Sequence, residues 1–392
     1  MQSNKLRFAI RATAAAAVMG AASQASAVTL NVGDDVEASL YGYARLNMSY
    51  DINDNRAVST RAGSFTPGNE DVEGHFGADA QQSRVGINVK HASGVSVTVE
   101  GDFRGSGNSA GSLRLRHGYG EYMGVLAGRT WSNYNSFVGN TANLDFDGLA
   151  GAAGAQDRTE QVRYTSGPLS VSIEDPLSQT VAGDPTVIAD PKNEDPYAAS
   201  KKTRTSAPSF TARFESSAGA IAYSAAAVVN QITYDTGAAD DSAFGYGVFG
   251  AAKFKVTDLI SIQGALNYTD GASGYLWRSG SNYTGPSAYL DGDSLETIAG
   301  YGGTIGVSLG LGDGSSVNVG YGMTKLDLDD ASKANAVADS APEQNQNAMV
   351  NYMWTPVKNV MMGVQYTYLD QETYGGNSSD ANRLMFAAQY SF

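Results

Sequence analysis

The chain contains no cysteine, which removes disulfides, thiolate metal sites and cysteine nucleophiles together. Histidine is nearly as scarce, with three in all: His75, His91 and His117. Past the first 27 residues no apolar run reaches the ~20 residues that a membrane-spanning helix needs. Cations are short as well. There are 26 Lys and Arg against 40 Asp and Glu, a formal charge of −14. Nucleic acid is excluded as a partner on that balance, because phosphate binding demands a basic patch. Proline occupies only 10 positions, whereas glycine has 46 and tyrosine 22. These proportions disfavour a helical protein and suit curved strands ringed by interfacial aromatics.

The N-terminus reads as an export signal. Lys5, Arg7 and Arg11 precede a short alanine-rich run over 12–22, and Ala25-Ser26-Ala27 forms a small-x-small cleavage site. About eleven apolar residues are too few to anchor a helix in a bilayer. The expected division is a signal peptide at 1–27 and a single barrel domain at 28–392.

From Leu40 onward the pattern has period two. Leu40, Ala44, Leu46, Met48 and Tyr50 alternate with Tyr41, Tyr43, Arg45, Asn47 and Ser49, and Val85, Ile87 and Val89 alternate with Arg84, Gly86, Asn88 and Lys90. Val95, Val97 and Val99 alternate with Ser96, Thr98 and Glu100, and the same rhythm recurs to the C-terminus, where Leu384, Phe386, Ala388, Tyr390 and Phe392 share one parity. Short turns such as 91–94, 166–168, 216–219, 312–314 and 356–359 alternate with long polar stretches at 51–80, 175–207, 269–296, 325–344 and 370–380. That asymmetry, with a terminal aromatic strand, predicts an all-β, transmembrane antiparallel β-barrel of about 16 strands, closed in a Gram-negative outer membrane against lipid and lipopolysaccharide. A secreted β-solenoid or sandwich shares the alternation but not the loop rhythm, and no long internal repeat marks an adhesin.

The charged parity must face the lumen, since Arg or Lys turned toward the bilayer midplane costs roughly 2–4 kcal/mol. This places Arg45, Arg84, Lys90, Arg104, Arg114, Arg116, Arg129, Arg163 and Arg213 inside. The acids are expected mostly in loops, among them Asp51, Asp54, Glu70, Asp71, Glu73, Glu194, Asp195, Asp240 and Asp241. A file of guanidinium groups, each a planar fork for carboxylate, suggests an anion path. The competing arrangement is a transverse field, in which acids on a folded-in loop balance the cations. Segment 131–157 is the candidate for that loop. Its Phe137, Leu144, Phe146 and Leu149 suit a buried setting, and it would carry Asp145 and Asp147 toward the arginines as a constriction. The other placement is outside the barrel, packed on a neighbouring subunit.

Five stretches give the chain a more specific likeness: Ser83 to Gly86, Val99 to Phe103, Leu113 to Tyr122, Leu126 to Asn133 and Leu144 to Gly148, with Gln161 to Thr165 beyond them. Over about residues 38 to 176 the chain resembles the DcaP-like porins of Gram-negative outer membranes. The resemblance implies a homotrimeric channel for dicarboxylates and related aromatic acids.

An enzymatic barrel would have to rest on His117. Its parity with Leu113, Leu115 and Tyr119 predicts a lipid-facing side chain near an interfacial girdle, with no serine beside it. No catalytic, cofactor or metal site is expected. The function classes left open are an anion-preferring diffusion channel, a non-selective or weakly cation-selective general porin, and a structural or adhesive barrel with a plugged lumen. Small inward residues, including Gly86, Ser96, Thr98, Gly118, Gly120, Ser170 and Ser172, argue against a plug.

Overall fold

The computed structural model describes residues 28–31, 33–53, 73–105, 111–184, 203–204, 206–235, 240–279 and 285–392. The expected signal peptide at 1–27 and the acids Asp54, Glu70, Asp71, Glu194 and Asp195 lie outside them.

Sixteen antiparallel strands close into a barrel. They are β1 (Val36–Asn53), β2 (Glu73–Asp79 continued by Arg84–His91), β3 (Ser96–Gly105), β4 (Ser112–Tyr122), β5 (Val125–Trp131), β6 (Arg158–Ser166), β7 (Leu169–Glu174) and β8 (Ser209–Ala218). The second half comprises β9 (Ile221–Asp235), β10 (Asp240–Lys255), β11 (Ile260–Asp270), β12 (Ala299–Gly312), β13 (Ser315–Leu326), β14 (Pro342–Val357), β15 (Val360–Thr373) and β16 (Ser378–Ser391). Each pairs with its sequence neighbour, and β16 returns to β1 through Tyr43↔Ser391 to Asn53↔Asn382. The Phe392 amide and carbonyl both bond Gly42, at 3.0 and 3.2 Å, so the aromatic terminus sits in the closing seam. Below it the short strand Val28–Asn31 pairs with β1 along the same edge.

The period-two pattern survives as an outward apolar face and an inward polar one. Leu46, Val97, Val99, Val162, Val171 and Val319 are exposed on the outside, while Asn47, Thr98, Gln161, Ser172, Asn318 and Asn351 are buried within. A closed sheet leaves no unpaired backbone edge in hydrocarbon. Two expectations need correction here. Glu73–Asp79, within the expected loop 51–80, extends β2, and Asp51 is a buried strand residue of β1.

A β-bulge corrects a third. Register shifts by one between Glu100 and Gly101, so Glu100 faces His117 and Gly101 faces Leu115. A one-residue slip turns every later side chain to the other face. His117 and Tyr119 therefore point into the lumen, while Gly118 and Gly120 point out.

On the long-loop side, segments of three loops fold together. Val181–Ala182 pairs in parallel with Ala288–Asp291, which pairs with Ser294–Thr297. The helix α1 (Asp329–Lys333) packs its Ala331 with Tyr289, Leu326, Leu328 and Val337 in an apolar cluster.

Candidate pore constriction

The loop between β5 and β6 turns into the barrel and lies along the wall of β11 to β15. Neutral amides hold it. Asn267 Nδ2 donates to the Gly151 carbonyl at 2.7 Å and its Oδ1 accepts the Gly154 amide at 3.0 Å. Asn347 accepts the Ala150 amide at 2.9 Å, Asn351 donates to the Ala142 carbonyl at 2.8 Å, and Gln365 accepts the Leu144 amide at 2.8 Å. Each wall amide occupies an inward position, so strand periodicity alone aims it at the loop. Close approach needs bare backbone on the wall. A Cβ on Gly320 would come 2.7 Å from Leu149 Cδ1, and one on Gly322 would run into the Ala150 carbonyl.

The loop's two ends are fixed differently. At its start the Glu174 carboxylate accepts Ser132 Oγ at 2.6 Å and the Asn133 amide at 2.7 Å. Its middle is roofed from outside: Trp277 Nε1 donates to the Asp147 carbonyl at 2.8 Å, and the Trp277 carbonyl accepts the Gly151 amide at 2.8 Å. Near Trp277, Tyr275 pairs with Ser209 Oγ at 2.6 Å and accepts the Leu177 amide at 3.1 Å. Burial pushes its hydroxyl up to about 12, which keeps it a donor at any ordinary pH.

Between loop and opposite wall remains a cavity of about 310 Å³. Arg84, Arg116 and Arg158 line it, as do Asp145, Asp147, Trp131, Phe137, Phe146 and Trp277.

The expected arginines divide into several kinds. Arg116 is fully buried and doubly paired, with Nε on Glu100 at 3.0 Å and Nη1 on Asp102 at 2.7 Å. Arg114 grips Asp102 in a two-pronged pair at 3.0 and 2.8 Å, and Arg104 bonds Asp79 at 3.2 Å. Thus Glu100 and Asp102 stand in the wall itself, against the expectation that acids keep to loops. Arg84 is more open: its ion pair to Glu100 is 3.6 Å and its guanidinium lies 5.3 Å from the Tyr43 ring centroid. Arg45 and Arg213 bond the loop backbone, at the carbonyls of Leu144 (2.9 Å) and Asn135. Arg163 faces inward opposite Ser172, and among the described residues it has no ion pair within 4 Å.

Arg129 is not in the lumen. It pairs across the sheet with the outward Gly118 and with Glu160, and it forms an exterior ion pair with Glu160 at 2.8 Å. The bulge in β4 sets this outcome, since the alternation in β5 follows the shifted face of β4. Lys90 keeps its inward parity at the short-turn end but is exposed.

Sequence reasoning missed Arg158. Its guanidinium lies over the Trp131 ring, 3.5 Å from the centroid, and Nε donates to His117 Nε2 at 3.5 Å, while His117 Nδ1 meets Thr130 Oγ1 at 2.9 Å. No carboxylate of the described residues comes within ion-pair distance of Arg158.

A sixteen-strand barrel with a loop folded into its lumen is the build of a channel, and the comparisons agree. Residues 18–177 match the family described as DcaP outer membrane protein. The crystal structure of the outer membrane channel DcaP of Acinetobacter baumannii superimposes with a TM-score of 0.79 at 27% identity, covering 93% of this chain and 99% of that one.

The chain is similar to the DcaP channels.

More distant barrels share the fold alone. OmpT of Vibrio cholerae matches with a TM-score of 0.56 at 13% identity, over 93% of this chain and 100% of that one. An anion-selective porin from Comamonas acidovorans matches with a TM-score of 0.54 at 11% identity, over 91% and 100%. Curated proteins gave no match. The DcaP-like barrel is an outer-membrane channel.

Proposed function

We propose that this DcaP-like barrel is a passive, homotrimeric diffusion channel that prefers small anions, with dicarboxylates and aromatic acids as its solutes. One observation carries the preference: Arg84 and Arg158 border the constriction, and among the described residues no carboxylate comes closer than 3.6 Å to either guanidinium. Their fields are not cancelled locally as those of Arg114 and Arg116 are. In a narrow pore such charges are screened less than the exposed acids of the mouth, which fade beyond about 8 Å at physiological salt.

Wall length supports the trimer. β5 and β7 have seven and six residues, against sixteen in β14, whereas a tilted strand needs about 9–11 residues to cross the hydrocarbon. The exterior Arg129–Glu160 pair lies on the same short wall, where a protein neighbour would shield it from lipid.

A second reading has its own support. Asp145 and Asp147 border the same cavity as the arginines, an arrangement that sets a transverse field and yields a general porin. The reversal potential across a planar bilayer under a salt gradient separates the two. A potential on the anion side supports the proposal, and a zero or cation-side value favours the general porin.

A further inference from the structure

The side chains of Arg158 and Trp131 stack on each other at the border of the constriction cavity. The two are directly opposite at the last register position of β5 and β6, where the strands give way to the loop. The guanidinium lies over the indole at 3.5 Å, a stacking that desolvates one face of the cation and fixes its plane. Its Nε is turned to His117. Among the described residues its Nη2 is buried without a hydrogen-bond partner, and so is Nε of Arg84 on the same cavity. Two guanidinium groups with unsatisfied donors at one small cavity are unusual, because a buried unpaired donor costs free energy that an acceptor recovers. The remaining wall is rich in rings. Phe137 meets Trp131 edge-on at 5.0 Å between centroids, and Phe146 and Trp277 border the cavity as well. A volume near 310 Å³ holds one ring bearing one or two carboxylates.

We propose that Arg158, laid flat on Trp131, is the specificity-determining cation of the constriction, holding the carboxylate of a flat aromatic acid whose ring rests against Phe137 and Phe146. The proposal rests on the anion-preferring reading and adds what that reading leaves open: discrimination by shape between solutes of equal charge. Benzoate and cyclohexanecarboxylate carry the same charge and a six-membered ring each, but only one ring is flat and aromatic.

The test is the blocking of single-channel current by these two acids in planar bilayers of full-length protein, with the KCl reversal potential recorded on the same channels. The wild type is expected to hold benzoate about three to ten times longer than cyclohexanecarboxylate, the range that aromatic contacts supply. Arg158→Lys keeps the charge, so the reversal potential should stay, while the benzoate preference falls toward one; a planar fork on a ring cannot be copied by an ammonium. Trp131→Leu should do the same without touching any charge. Phe137→Leu, which keeps both the guanidinium and the indole beneath it, should lower the ratio and leave overall block by either acid measurable. A wild-type ratio near one, or a ratio unchanged in both Arg158→Lys and Trp131→Leu, overturns the proposal. Failure of the anion-preferring reading would show instead in the wild-type reversal potential, so the two outcomes are distinct.

Discussion

Arg45 reaches from β1 to the middle of the constriction loop, its Nη2 donating to the Leu144 carbonyl at 2.9 Å, while its Nε is held by Asn47 at 2.8 Å. A residue expected to serve as a step for passing anions thus spends its donors on the loop and on the amides of its own wall. A charge-assisted bond of this kind contributes about 1.5–3 kcal/mol. Arg45→Met should therefore loosen the loop's hold on β1, read as greater open-channel noise with little change in ion preference. Quiet traces from the variant would show the contact to be dispensable.

Deleting 140–154 removes the portion of the loop that narrows the lumen. Single-channel conductance should rise, roughly twofold or more if this loop is the main resistance. The deletion must be shown to retain heat-modifiable migration on mild-detergent gels, since an unfolded barrel conducts nothing. A folded deletion with wild-type conductance would place the bottleneck elsewhere.

Gly322→Ala sets a methyl against the Ala150 carbonyl. Overpacking of this kind costs about 1–3 kcal/mol, and the loop can relieve it only by moving into the pore. Both a lower thermal transition and a smaller conductance are expected. The turn change Gly312→Ala, far from the loop, meets no nearby atom but has φ of +85°, so it should lower stability without touching conductance.

Charge substitutions should separate by partner. Arg116→Gln strips the shared partner from Glu100 and Asp102, and breaking a buried pair costs about 3–5 kcal/mol. The barrel-to-unfolded transition temperature should fall steeply. Arg84→Gln with Arg163→Gln removes two weakly paired cations and should shift the reversal potential toward cations with a small stability change. If that double variant keeps the wild-type potential, the lumen arginines do not set selectivity.

The barrel was legible because charge in hydrocarbon is so costly that parity alone assigns faces, and Arg45, Arg84, Arg114, Arg116, Arg163 and Arg213 landed inside on that argument. It failed where parity itself changes. Nothing in Glu100-Gly101 announces a bulge with certainty, yet that slip carries His117 and Tyr119 inward and leaves Arg129 outside. Arg158 escaped notice because it stands at a strand's first position, beside a loop end, where alternation has not begun. The loop's entry into the lumen could be expected from its apolar residues. Its anchorage could not, although inward amides at Asn267, Asn347, Asn351 and Gln365 were the available signal.

That anchorage gives the pore two parts of different chemistry. Along β11 to β15 the aperture is set by uncharged amides, whose hydrogen bonds neither ionise nor respond much to salt, while Arg45, Arg213 and Glu174 add charged anchors elsewhere. The electric field originates on the opposite wall, from guanidinium and carboxylate groups that mobile ions can screen. The barrel is thus a mechanical sieve and an electrical filter mounted side by side. Concentrated salt should flatten its choice between anions and cations while leaving the largest neutral sugar that permeates unchanged.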